Sequence, residues 1–238
     1  MIRINLWASP RNVSTALMYS FAQRKDITVF DEPLYAHYLR VSGVIHPGND
    51  DILASQNQDG NQVVQQLMLG EHLRPLAFFK QMTHHLVDLD MSFLQHCKNV
   101  LLIRDPASFI SSYAKVIPNP QMADIGVKQQ WELCQQLQQH NSLTAVLDAK
   151  QILLDPGAVL EKLCQKIGIA FDPRMLHWEA GPIPEDGVWA PYWYKNVHAS
   201  TGFKAYTPKE INIPPHLTAL VEEADFYYQK LLPLAIKA

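Results

Sequence analysis

Three groups of residues have types and spacings that chemistry can use. The first is Pro10-Arg11-Asn12-Val13-Ser14-Thr15, which follows an apolar run and opens an amphipathic segment. A helix N-terminus carries unpaired N–H groups and a partial positive charge, so it cradles anions. Arg11 adds a fixed cation with forked donors, and Ser14 and Thr15 add hydroxyls. A helix cap made by Ser9 or Asn12 accounts for the same residues without a ligand. The second group is Arg104-Asp105-Pro106, with Ser112 eight residues after the arginine and about two helical turns on. Arg104 and Ser112 are placed to converge on one anion, or Arg104 and Asp105 form a surface pair ahead of an ordinary capped helix. The third group suits proton transfer: Lys80, His84 and His85 close one apolar run, and Glu32 closes an earlier one. Histidine titrates near neutral pH and is the usual general base. In an extended chain, adjacent histidines point to opposite sides, so only one enters a site; His84, an even number of residues from Lys80, is the preferred one. Glu32 is placed to orient an acceptor or to take a proton from an amine, and a strand-terminal turn is its other reading. A His-His metal pair would lack a third ligand at suitable spacing, so no metal is expected.

The elements that must hold these groups are readable from periodicity. Apolar runs of strand length at Ile2–Ala8, Ile27–Phe30, Leu76–Met82, Asn99–Ile103 and Leu143–Leu147 alternate with segments of helical period. In the first of these helices, Val13, Leu17 and Phe21 share one face. Further helices are expected at Val63–Leu73, after Pro106, at Gly126–His140, at Pro156–Ile167 with Gly168 as its C-terminal stop, and at Leu217–Leu232. Gly43–Gly60 reads as loop. Continuous apolar strands separated by helices imply an α/β fold with a parallel sheet of about five strands, covered on both faces. Ligands in such sheets bind beyond the carboxyl ends of the strands, where all three groups lie. The irregular, aromatic stretch Ala180–Pro215 is too long for a passive loop and reads as a lid or substrate wall. Its Trp189, Tyr192, Trp193 and Tyr194 either wall an apolar acceptor or form a satellite core. No repeat or linker interrupts the 238 residues, and one domain is expected.

Composition excludes several classes. The chain has 20 basic and 23 acidic residues, a net charge of −3, and 47% hydrophobic residues. That is ample for a core, and it lacks the basic balance that nucleic-acid binding requires. No run reaches the ~20 apolar residues of a membrane span, and the first residues lack a signal-peptide pattern. Cys97, Cys134 and Cys164 form no paired motif and read as free thiols in a reducing cytoplasm. The first turn contains no glycine, so neither the phosphate loop of common nucleotide triphosphatases nor a dinucleotide fingerprint is present.

Together, the form P-[KR]-x-x-[ST]-T after the first strand and R-[ND]-P-x5-S-Y after a later one resembles the sulfotransferase family that uses 3′-phosphoadenosine 5′-phosphosulfate (PAPS). The run Leu153-Leu154-Asp155-Pro156 through Leu160, Leu163 and Gly168 is also similar, so the likeness reaches about Asp172. The resemblance implies a three-layer fold like that of P-loop nucleotide triphosphatases. Arg11, Asn12, Val13, Ser14 and Thr15 would hold the 5′-phosphosulfate, and Arg104 and Ser112 the 3′-phosphate. Lys80 and His84 or His85 resemble the family's lysine–histidine arrangement at longer spacing. It further implies PAPS as co-substrate, 3′-phosphoadenosine 5′-phosphate (PAP) as product, no metal, and a small-molecule acceptor bearing a hydroxyl or amine. A homodimer is compatible with it.

Three departures stand out. Arg11 replaces the lysine of the cytosolic members, and it keeps the charge but offers no proton. Lys150-Gln151 replace the acidic pair before the L-x-x-D-P run. Lys195–Phe203 stands where the family's R-K-G loop would be, so Ser200, Thr201 and Gly202, with Lys195, are the candidates to close over the nucleotide. These features resemble a bacterial branch of the family. A glycine-poor nucleotide kinase or hydrolase using Asp105 and Mg²⁺, and a nucleotide-binding protein without turnover, are the alternative readings.

Overall fold

The computed structural model describes residues 1–208 and 211–238; Lys209 and Glu210, within the stretch Ala180–Pro215, lie outside the described residues. Strands β1 (Ile2–Ala8), β2 (Ile27–Asp31), β3 (Leu76–Met82), β4 (Lys98–Ile103) and β5 (Leu143–Asp148) form one sheet in the order β2-β3-β1-β4-β5. Every pairing is parallel. All seven residues of β3 are buried, as a strand covered on both faces requires.

The alternation of side chains divides the core into two layers. Ile4, Leu6 and Ala8 of β1 join Phe78, Val100, Leu102 and Leu147 on one face. Helices α1 (Ser14–Ala22), α2 (Tyr35–Ser42) and the later Pro156–Ile167 cover that face, contributing Leu17, Phe21, Leu39, Leu160 and Leu163. Phe21 stacks on Phe78 with ring centroids 4.3 Å apart. Trp7, Phe79, Leu101 and Val146 point the other way, under Leu133 and Leu137 of Val127–Gln139 and Leu231 of Thr218–Leu231. The result is the three-layer α/β sandwich that the sequence implies.

Two expectations need correction. Gly43–Gly60 is not all loop: α3 (Asn49–Ser55) forms within it. Gly48 takes a left-handed φ of 77°, Asp50 and Asp51 sit in the favourable first turn, and Ile52 is fully buried. Helical structure does not extend over Val63–Leu73 either: a short helix over Gly60–Val63 runs into a π-turn over Val64–Met68 and stops. Pro106–Tyr113, here α4, forms as expected, with Asp105 accepting from Ser108 N–H at 3.1 Å and Pro106 in the first turn.

The far side of the sheet is held by one buried amide. Asn99 Nδ2 donates to the carbonyls of Leu94 (2.7 Å) and Ser142 (3.2 Å), and its Oδ1 accepts from Trp7 Nε1 at 3.1 Å. Asn99→Ala leaves several of these buried groups without partners. It is expected to lower unfolding free energy by about 2–4 kcal/mol in urea titrations. A loss below about 1 kcal/mol would contradict this account.

Candidate active site

A cavity of about 590 Å³, counted to its open mouth, lies at the carboxyl edge of β1, β2 and β3. Arg11, Asn12, Ser14 and Thr15 line one side, and Glu32, Lys80, His84 and His85 line the other. Tyr35, Tyr113, Trp189, Trp193 and Tyr194 add aromatic walls.

The first wall is the turn after β1. Arg11 sits in the left-handed region at φ 54°, so the turn makes without glycine a bend that usually needs one. Asn12 stabilises it from both ends: its Nδ2 donates to Leu102 O of β4 at 3.1 Å, and its Oδ1 accepts from Val13 N–H at 2.8 Å. Among the described residues no side chain caps the start of α1, and Ser14 and Thr15 of its first turn line the cavity. The two cationic groups of the sequence meet here. Arg104 donates to Arg11 O at 2.7 Å and to Ser108 Oγ at 3.1 Å, and Arg11 Nε donates to Ser112 Oγ at 3.3 Å. Among the described residues, neither arginine is in an ion pair. Burial lowers the pKa of both, and the Arg11 charge lowers that of Arg104 further. The cradle therefore concentrates positive charge, which Asp105 and Asp148 offset only at a distance. Asp105, the carboxylate beside it, is engaged as the cap of α4.

The opposite wall is built on a buried ion cluster. Lys80 at the end of β3 is wholly buried and pairs with Asp31 Oδ1 at 2.9 Å and Glu32 Oε1 at 2.5 Å. The Tyr194 hydroxyl takes its third proton, so the ammonium is saturated. Burial alone would push Lys80 down, but the two carboxylates outweigh it and hold the ammonium above its usual pKa. For Glu32 the balance runs the other way. Burial, aided by the Asp31 charge, raises its carboxyl to about 7 against the pull of Lys80. Glu32 also has a left-handed φ of 41°. Arg11 and Glu32 are thus two strained residues, at the ends of β1 and β2, facing one cavity.

The histidines depart from expectation. The chain is not extended after β3: Thr83–His85 is a turn of 3₁₀ helix, and both His84 and His85 line the cavity. Burial lowers His84 to about 3, with His46 adding to the effect, and holds His85 well below the ordinary value, so both are neutral at pH 7. Ser200, Thr201 and Gly202 are not brought to the cavity. Ser200 Oγ accepts from Trp178 Nε1 and donates to Val197 O, Thr201 O accepts from Trp178 N–H, and Gly202 bridges to His177. These bonds fold the wall against its own core. Lys195 is exposed on a short helical turn, and Val13 does not line the cavity.

The cavity also holds residues that motif spacing does not reveal. His46 lies in the segment read as loop; its Nδ1 bonds the Tyr35 hydroxyl at 2.8 Å. Outside the lining, Ser108, four residues after Arg104 and so on the same helical face, accepts from its guanidinium. Of the aromatic run, Trp189, Trp193 and Tyr194 reach the cavity, whereas Tyr192 is half exposed and packs on Gly48.

A family model described as "Sulfotransferase domain" matches residues 2–227. The chain belongs to the sulfotransferase family. Two Arabidopsis thaliana proteins, branched-chain-amino-acid aminotransferase-like proteins 1 and 2, are each 40% identical over 203 residues. Those residues are 85% of this chain and 36% of each relative, so the chain spans about a third of the length of the curated relatives it matches. The solved sulfotransferase domain from the curacin biosynthetic pathway superposes with a TM-score of 0.54 at 14% identity, covering 100% of this chain and 99% of that one. That from the Synechococcus PCC 7002 olefin synthase gives 0.51 at 13%, covering 94% of each. The fold is therefore the sulfotransferase α/β fold. Within this sulfotransferase domain, Arg11, Asn12, Ser14 and Thr15 of the first motif line the cavity; Arg104 and Ser112 of the second do not, and both instead bond Arg11.

Glu32 makes the domain's stability pH-dependent. A carboxyl whose folded pKa is raised stabilises the fold most below its unfolded value of 4.5, and that contribution is lost as pH rises through about 7. Glu32→Gln is expected to flatten this part of the stability–pH profile in thermal melts. An unchanged slope would place the titrating group elsewhere.

Proposed function

We propose that the protein is a sulfotransferase that moves a sulfuryl group from PAPS to a hydroxyl or amine of a small acceptor. The observation that carries this reading is the cradle itself: Arg11, Ser14 and Thr15 line one side of a cavity whose other side carries Glu32 and two neutral histidines, and Arg104, which donates to the Arg11 carbonyl, adds a second cation next to that lining. A ligand with separated anionic groups fits that arrangement. Arg11, the first turn of α1, Ser14 and Thr15 would hold the 5′-phosphosulfate; Arg104, with Ser108 and Ser112 beside the pair, would hold the 3′-phosphate. The bound donor would supply the sulfuryl group, its phosphate–sulfur bond breaking with the electron pair left on phosphate as the acceptor atom bonds sulfur.

The chain's own residues then do two things. The cationic side stabilises charge on the departing phosphate, as positioned donors in a partly buried site do well. The far side removes the acceptor's proton. A group with pKa near the working pH is the best general base, and Glu32 at about 7 meets that condition where His84 at about 3 does not. His84 and His85, both neutral, supply hydrogen bonds to the acceptor. Lys80, saturated by its partners, acts as the anchor of Glu32 and makes no direct contact with the donor.

Arg104→Ala is expected to weaken PAP by about 2–3 kcal/mol, on the order of 30- to 100-fold, and AMP far less, because only PAP carries the 3′-phosphate. Calorimetry without Mg²⁺ measures both; equal losses would sink the assignment. Glu32→Gln is expected to lower kcat by about 100-fold or more while leaving PAP affinity near wild type. If Glu32→Gln keeps its rate and His84→Ala loses it, the base is His84.

A further inference from the structure

His85 is buried completely between two tyrosines. Its ring stacks on Tyr35 (centroids 4.8 Å, interplanar angle 17°) and on Tyr38 (4.8 Å, 24°). Among the described residues, neither of its ring nitrogens has a hydrogen-bond partner. The ring of His84 lies 4.6 Å away at 83° and lines the cavity; its Nδ1, buried beside Gly126, has no hydrogen-bond partner among the described residues. A neutral imidazole carries one donor and one acceptor, so this corner holds both kinds of unmet group. Each buried unmet group costs about 1–3 kcal/mol, which marks the corner as built for a ligand that supplies the partners.

The geometry restricts what that ligand is. Glu32 Oε1 is held by Lys80, and its other oxygen stands 4.0 Å from His85 Nε2. That gap is too long for a direct hydrogen bond, and a hydroxyl that donates to the carboxylate and meets the imidazole bridges it. The perpendicular His84 ring asks for a second polar group next to the first. A phenol or a simple alcohol has only one. Charge narrows the class further. Lys80 is the cation that Glu32 and Asp31 share, and its three protons are taken, so among the described residues this wall offers no free cation to an anionic acceptor. Tyr35 and Trp189, in edge-to-face contact at 5.1 Å, give an apolar surface beside the polar corner.

We propose that the acceptor is an uncharged ring compound with adjacent hydroxyls, of the sugar or cyclitol kind: one hydroxyl is read by Glu32 and His85, its neighbour by His84, and the C–H face of the ring rests on the aromatic wall. This rests on the sulfuryl-transfer reading and adds the acceptor class to it. His84 and His85 together then discriminate between acceptors by counting hydroxyls.

The test uses the full chain saturated with PAP, so that no transfer occurs. Cyclohexanol, cis-cyclohexane-1,2-diol, phenol, methyl glucoside and myo-inositol are titrated calorimetrically. The diol is expected to bind at least about tenfold tighter than cyclohexanol or phenol, the step that one satisfied buried group provides. His84→Leu is expected to shrink that preference below about threefold with PAP affinity intact, which also reports that the variant is folded. The same preference in kcat/KM for transfer from radiolabelled PAPS by the unaltered protein tests the class without any variant. The tighter of methyl glucoside and inositol separates pyranose from cyclitol. PAP binding with no preference for the diol over cyclohexanol or phenol would overturn the acceptor class alone. Failure to bind PAP would overturn the nucleotide reading, and this one with it.

Discussion

The ammonium of Lys80, buried between two carboxylates, is the interaction on which the site depends. Asp31 and Lys80 stand opposite each other in the β2–β3 register, so the pair ties two neighbouring strands at the edge where ligands bind. Removing three charges from water is expensive, and such a cluster is tolerable only when every proton and lone pair is matched. Here the matching reaches outside the sheet. Tyr194 donates to Asp31 Oδ2 at 2.7 Å, accepts from Trp189 Nε1 at 3.0 Å and meets Lys80, while Gly187 N–H also bonds Asp31 Oδ2 at 3.1 Å. One cluster therefore closes a sheet edge, aims Glu32 despite its strained backbone, and fastens the aromatic wall.

The donor side solves a different problem. A glycine-rich loop approaches phosphate closely because it lacks side chains; this turn has none and relies on a left-handed arginine braced by Asn12 against β4. The backbone bend is then inseparable from the cation, since Arg11 provides both. Its carbonyl holds Arg104, so the second cation is positioned by the first.

The sheet was legible in the sequence because buried parallel strands are continuous apolar runs; all five appear within a residue or so of where periodicity places them. The two arginines were legible because each follows a strand and opens a helix. What escaped depends on tertiary contact. The turn at Thr83–His85 places both histidines on one side, and no local signal distinguishes it from continued strand. His46, in the segment whose glycines concealed α3, meets Tyr35 of α2 across eleven residues. Ser200–Gly202 carry hydroxyls and a glycine suited to a phosphate loop, yet they pair with Trp178 and His177, contacts that composition does not reveal.

The stretch from Gly181 to Ser200 touches the rest of the molecule through few polar bonds. Asp186 accepts from the Tyr19 hydroxyl of α1 at 2.7 Å and lies 2.9 Å from His198 Nε2, and Asp31 receives Gly187 and Tyr194. None of the five strands passes through it. Packing fastens the stretch as well: Trp189, Ala190, Tyr194 and Val197 are buried in the same core layer as the α1 face of the sheet. A change of shape in this wall therefore reaches Lys80 through Tyr194 and, through Lys80, the carboxylate of Glu32.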